Sequence, residues 1–197
     1  KDIRQCSSNM LARLSGKNLT DHADKLIDKL KNDPDPVVRM NVATAFNKLN
    51  GSSFGAALLE SALNKNEDFR VRVNAINSLN YFHYKSVADK LITLITNENL
   101  HISLEACGFF LNRCERNEWN KLAILRDEIK NEQLRAALFK ILLKHGRKEE
   151  KKAVNSHILS EYNKLKDPFK KGFYIDALKA WTSNYKQLSQ MAFKEVD

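Results

Sequence analysis

The sequence is poor in residues that interrupt regular structure, with 6 glycines and 3 prolines in 197 residues. That excludes collagen-like and low-complexity chains. A hydrophobic share of 43% beside 29% charged residues is too apolar for a disordered chain. Long apolar runs are missing too. The stretches Leu91 to Ile95 and Ile141 to Leu143 fall far short of the roughly 20 residues that a membrane-spanning helix needs, so no membrane is expected. Of the three cysteines, Cys107 and Cys114 would lie about 10 Å apart on one helix, beyond the roughly 7 Å reach of a disulfide. Free thiols and a reducing, cytoplasmic setting are expected. Position 1 is Lys rather than Met, so the start reads as a cut and a signal peptide is either absent or removed, which leaves a secreted or periplasmic setting open.

Catalytic and metal-binding patterns are also lacking. His22, His83, His101, His145 and His157 show neither i, i+4 pairing nor a cysteine pair at ligand spacing. There is no Gly-rich phosphate loop, nucleophile elbow or HExxH segment. The expectation is no enzyme, no metal and no cofactor. Asp127-Glu128 and Glu149-Glu150 read as solvated helix faces in a sequence with 24 acids.

What the sequence does contain is a repeat. Residues 38 to 49 (VRMNVATAFNKL) align with 71 to 82 (VRVNAINSLNYF), 102 to 113, 134 to 145 and 170 to 181, and an incomplete copy occupies 3 to 14. The anchor position is Arg4, Arg39, Arg72, Ser103, Arg135 and Lys171, at spacings of 35, 33, 31, 32 and 36 residues. Positions three, four and seven after each anchor are mostly apolar (Val42, Ala43, Phe46; Ala75, Ile76, Leu79), which is the 3.6-residue stripe of a helix. Each complete copy is preceded by another amphipathic segment, such as Leu26, Ile27, Leu30 or Leu58, Leu59, Leu63. The joints between them carry turn chemistry, as in Asn32-Asp33-Pro34-Asp35-Pro36 and Asp167-Pro168. Each repeat is therefore a hairpin of a first and a second helix, and one hairpin cannot bury its own stripe without neighbours.

The segments DPDPVVRMNVATAFNKL, EDFRVRVNAINSL and NEQLRAALFKILL resemble the short variety of the HEAT-repeat family over nearly the whole chain. The resemblance implies an all-α, right-handed α-solenoid of about five helix pairs, near 19–50, 53–84, 86–116, 119–146 and 151–183. Half repeats at 2–15 and 184–196 would form one array with them. Neither end reads as a polar cap, so the array is expected to continue in both directions. A ladder of Asp33, Arg39, Arg72 and Arg135 is implied, with Asp33 pairing Arg39 across the inter-helix turn. Ser103 and Lys171 depart from it.

The outward side of the second helices, at positions two, five and nine after the anchor, is the expected concave contact surface. It brings Arg13, Asn41, Lys48, Asn74, Asn77, Tyr81, Asn112, Lys140 and Lys144 into one amide-rich, basic stripe. Amides bond a partner's backbone and Tyr adds flat apolar area. The reading is a monomeric, noncatalytic scaffold for a protein or peptide, with acidic partners favoured by a net charge of +9. Three other readings remain. The array is an accessory segment of a larger enzyme, for example a cyclophilin-type prolyl isomerase. It binds nucleic acid through its C-terminal half, where 19 basic residues face 13 acidic ones from residue 101 onward. It is a HEAT-like DNA glycosylase using Asp176 with Trp119 and Trp181, although Trp181 sits in a slot that Leu49 and Phe82 fill in sister repeats.

Overall fold

The computed structural model describes residues 2–11, 13, 17–49, 52–96, 99–179 and 190–191. The described residues are mostly helical and contain no strand. The chain divides into two compact units, Lys1–Asn112 and Arg113–Asp197. In the first, α1 (Asp2–Leu11) and the single turn α2 (Lys17–Thr20) precede three hairpins: α3 (Ala23–Asn32) with α4 (Pro36–Ala45), α5 (Ser52–Leu63) with α6 (Phe69–Leu79), and α7 (Tyr84–Leu91) with α8 (Leu100–Asn112). The second unit holds α9 (Arg116–Glu128) with α10 (Glu132–His145), and α11 (Lys148–Lys164) with α12 (Pro168–Lys179). The half repeat expected at 184–196, like Trp181, lies outside the described residues except for the two helical positions 190 and 191.

The second helices begin where they do because one position, four before the anchor, always holds a short side-chain acceptor. Asp35 accepts from the Val37 N–H at 3.0 Å, Asp68 from Arg70 at 2.9 Å, Asn99 from His101 at 3.0 Å, Asn131 from Leu134 at 3.0 Å and Asp167 from Phe169 at 2.9 Å. The same residue's carbonyl takes the first intrahelical bond from the anchor N–H in all five. A side-chain cap of this kind satisfies one orphan donor and is worth about 1 kcal/mol. Pro36 and Pro168 open α4 and α12, where a missing N–H costs nothing.

Within the first unit the second helices lie side by side, α1 against α4, α4 against α6 and α6 against α8, while α3 packs on α5. In the second, α10 contacts α9, α11 and α12. This explains why burial exceeds a single amphipathic stripe. Besides positions three, four and seven, the residue before the anchor (Val38, Val71, Ile102, Leu134) and the sixth after it (Ala45, Ser78, Phe109, Ile141, Ala177) are buried. A second helix touches its own first helix on one side and neighbouring second helices on others. Ser78 turns that contact into a hydrogen bond, its hydroxyl donating to the Ala43 carbonyl at 2.8 Å.

Close approach fixes one glycine. A Cβ on Gly146, between α10 and α11, would meet the Leu142 carbonyl oxygen at 2.7 Å and the Trp119 indole at 3.3 Å. That carbonyl already accepts from the Gly146 N–H at 2.9 Å and from the Trp119 Nε1–H at 3.2 Å. Backbone cannot step aside as a flexible side chain can, so Gly146→Ala is expected to cost about 1–3 kcal/mol, whereas Gly172→Ala, whose Cβ would meet nothing within 4 Å, is expected to leave the urea midpoint unchanged or raised.

Candidate partner-binding surface

The anchor side chains organise the surface from beneath, and they reach across hairpins more than within them. Arg4 Nη1 donates to the Asp33 carboxylate at 3.2 Å, and Lys29 approaches the same carboxylate at 3.5 Å. Arg39 gives Asp33 only a bond to its main-chain carbonyl, while its guanidinium grips Glu67 of the next turn at 3.0 and 2.7 Å. The Asp33–Arg39 pair implied by the family pattern is therefore a carbonyl contact, and the carboxylate serves the preceding anchor. The shift has a simple cause: Asp33 faces α1, so its carboxylate has a cation there to neutralise it. Arg72 is buried and donates from Nε to the Ala62 carbonyl at 3.0 Å, and burial lowers its pKa. Ser103 takes the same role in the following repeat, donating to the Leu94 carbonyl at 3.3 Å. Arg135 bridges Glu161 at 3.0 Å and Glu132 at 3.1 Å, and Glu132 also accepts from the Tyr174 hydroxyl.

Above the anchors in the first unit, the expected contact stripe is built as a row of hydrogen bonds between successive second helices. Asn41 donates to Ser8 at 2.9 Å, Thr44 to the Asn74 side-chain carbonyl oxygen at 2.9 Å, Asn77 to Glu105 at 2.9 Å and Asn112 to Asn80 at 3.2 Å. Position five on one helix meets position two on the next in two of these pairs. Asn41, Asn74 and Asn77 thus spend part of their capacity on the fold, which periodicity alone could not disclose. Arg13, Lys48, Asn77, Tyr81 and Asn112 are exposed. Tyr81, at 62% exposure, is the largest outward group of the row, and its hydroxyl bonds no described residue.

In the second unit, Lys140 is half-buried and bound to Asp176 at 3.0 Å, while Lys144 is exposed. Lys152 pairs with Glu149 at 3.2 Å, Lys164 with Glu161 at 2.8 Å, and Lys171 lies 5.2 Å over the Tyr162 ring. Lys140, Lys152 and Lys164 are thereby charge-compensated, while Lys144, Lys148, Lys166 and Lys170 are exposed without an ion pair to any described residue. Asp176 is exposed beside Lys140 and Lys179. Trp119 is a packing residue at 9% exposure, hydrogen-bonded through its indole and covered by Arg116 at 4.4 Å.

Glu150 departs from the solvated reading of its neighbourhood. Its carboxylate accepts from Arg116 at 2.8 Å and from the Arg147 N–H at 2.7 Å, closing the start of α11. The Arg116 guanidinium, then that N–H, hold its pKa down to about 2 from an ordinary 4.5. Nothing in the sequence signals a partner 34 residues away. His157 is half-buried against Phe139, with ring centroids 5.4 Å apart, and desolvation lowers its pKa. The three cysteines are free thiols, and burial pushes Cys107 and Cys114 up to about 12, which makes them poor nucleophiles.

Two expectations follow from these ion pairs. Arg39 and Glu67 are 16% and 8% exposed, so removing one partner strands the other. Arg39→Ala or Glu67→Gln should each cost about 3 kcal/mol in urea unfolding, and the double variant Arg39→Met with Glu67→Leu should cost much less than their sum. Because Glu150 is a depressed acid, its contribution is whole above pH 4.5 and fades as pH falls toward about 2. Glu150→Gln should lower the melting temperature at pH 7, with the deficit vanishing near pH 2. No family model, no curated protein and no solved structure matches this chain.

Proposed function

We propose that the chain is a noncatalytic interaction scaffold of HEAT-like hairpins, right-handedly stacked within each unit, which binds an extended peptide or protein segment across the outward row of α4, α6 and α8. The observation that carries this reading is the pairing of a pre-set amide row with the exposed ring of Tyr81. An Asn whose carbonyl or one N–H is already engaged by the neighbouring helix still has further donor or acceptor capacity. Its rotamer is held, so little entropy is lost on binding. Neighbouring helix axes lie about 8–10 Å apart, close to three residues of an extended chain at about 3.3 Å each. A peptide crossing the row would meet one amide about every third residue, with Tyr81 as an aromatic anchor. Lys48 and Arg13, both exposed, favour acidic side chains in that peptide.

Panning the full chain against a displayed library of linear peptides should enrich acidic sequences. Lys48→Ala with Tyr81→Ala should weaken the enriched peptides by at least tenfold, about 1.4 kcal/mol, with circular dichroism and melting temperature unchanged. Unaltered capture by that variant would move the binding surface elsewhere.

A further inference from the structure

We infer that the turn edge of the second unit, around the start of α12, is a binding site for single-stranded nucleic acid, with a base stacked on Phe169. Phe169 is 75% exposed, the most exposed aromatic side chain among the described residues. It stands edge-to-face on Phe173, with centroids 5.0 Å apart and planes 75° apart, so the contact holds one edge of the pair and leaves ring surface open. One turn along the helix, Gly172 leaves bare backbone, since a Cβ there would meet nothing within 4 Å. We take the open ring surface of Phe169 and this bare turn as the shelf that would receive the base, because an exposed aromatic face stacks on a planar heterocycle.

The charges around the shelf suit phosphates. Lys166 and Lys170 flank Phe169 in sequence, and both side chains are exposed with no hydrogen bond or ion pair to any described residue. Lys130 is in the same condition on the preceding hairpin turn. That turn lies at the same edge, because Arg135 reaches Glu161 and Tyr174 reaches Glu132 between the two hairpins. The acids nearby are mostly engaged: Asp167 caps α12, Glu161 holds Arg135 and Lys164, Glu132 holds Arg135, and Asp176 holds Lys140. Glu128 is exposed without such a partner. Residues 113–197 carry 19 basic against 12 acidic side chains, so the long-range field also favours a polyanion. Unpaired lysines interleaved with an exposed aromatic are the combination that sequence-tolerant single-strand binding requires.

The test is fluorescence anisotropy of the full chain with fluorescein-labelled oligothymidine and oligouridine of about 15 nucleotides, at about 50 mM salt and above. Binding should weaken as salt rises, and Lys166→Gln or Lys170→Gln should each reduce the slope of log K against log salt by about 0.7. Phe169→Ala should weaken binding roughly 5- to 150-fold, the loss of one stacked base. Phe169→Trp should retain binding, and Phe169→Leu should behave like the alanine variant. Gly172→Leu, which raises helix propensity and so preserves α12, should weaken binding by blocking the shelf. Wild-type affinity in Phe169→Leu or Gly172→Leu would overturn the stacking assignment. No binding of either oligomer near 50 mM salt would overturn the site, as would association only with phosphatidylserine-containing vesicles that survives Phe169→Leu.

Discussion

Every feature of this protein depends on one constraint: a second helix can be satisfied only by neighbours on more than one side. α4 has its own first helix, α3, and the second helices α1 and α6 packed around it. Its apolar positions are therefore spread over most of its circumference, leaving one narrow strip wet. Val38, Val42, Ala43, Ala45 and Phe46 are all essentially inaccessible. At about 25 cal/mol per Å² of apolar surface, such burial is the driving force for stacking. Polar groups caught between the helices must then find partners there.

The anchors and the amide row answer that requirement at two levels. Beneath, Arg4, Arg39 and Arg135 reach forward to acids of the next repeat. Where no acid is engaged, as for Arg72, a first-helix carbonyl takes over, and Ser103 reaches the equivalent carbonyl with a much shorter side chain. Above, Ser8–Asn41, Thr44–Asn74 and Asn77–Glu105 repeat nearly the same contact on successive helices. A row fixed for structural reasons is also a pre-ordered set of hydrogen-bonding groups, and this links the packing of the first unit to the proposed peptide surface.

The second unit shows how charge balance is decided locally. Its composition alone gives an excess of basic over acidic side chains, interrupted by Glu149, Glu150, Glu161 and Asp167. Folding brings Asp176, Glu149 and Glu161 against several of its lysines, while Lys166 and Lys170 near Phe169, and Lys144 and Lys148 around the start of α11, stay exposed without such a pair. An overall basic composition says little about where a polyanion would sit until each cation's partner is known.

The sequence by itself determined the helical class, the hairpin period and the starts of the second helices. Each is encoded locally: apolar residues at 3.6-residue spacing, and an Asp or Asn four positions before every anchor from Asp35 to Asp167. Helical angle follows from residue number, which puts Asn41 on one face of α4 and Asn74 and Asn77 on one face of α6, whereas Tyr81 lies past the end of α6 in the turn that follows. Only the tertiary structure decided what those groups do. Whether Asp33 meets Arg39 or Arg4, whether Asn77 is free or tied to Glu105, and whether Glu150 is solvated or clasped by Arg116 depend on side chains 28 to 34 residues away. The rotation of one hairpin against the next sets those distances, and that rotation is fixed by packing summed over many residues rather than by any local motif.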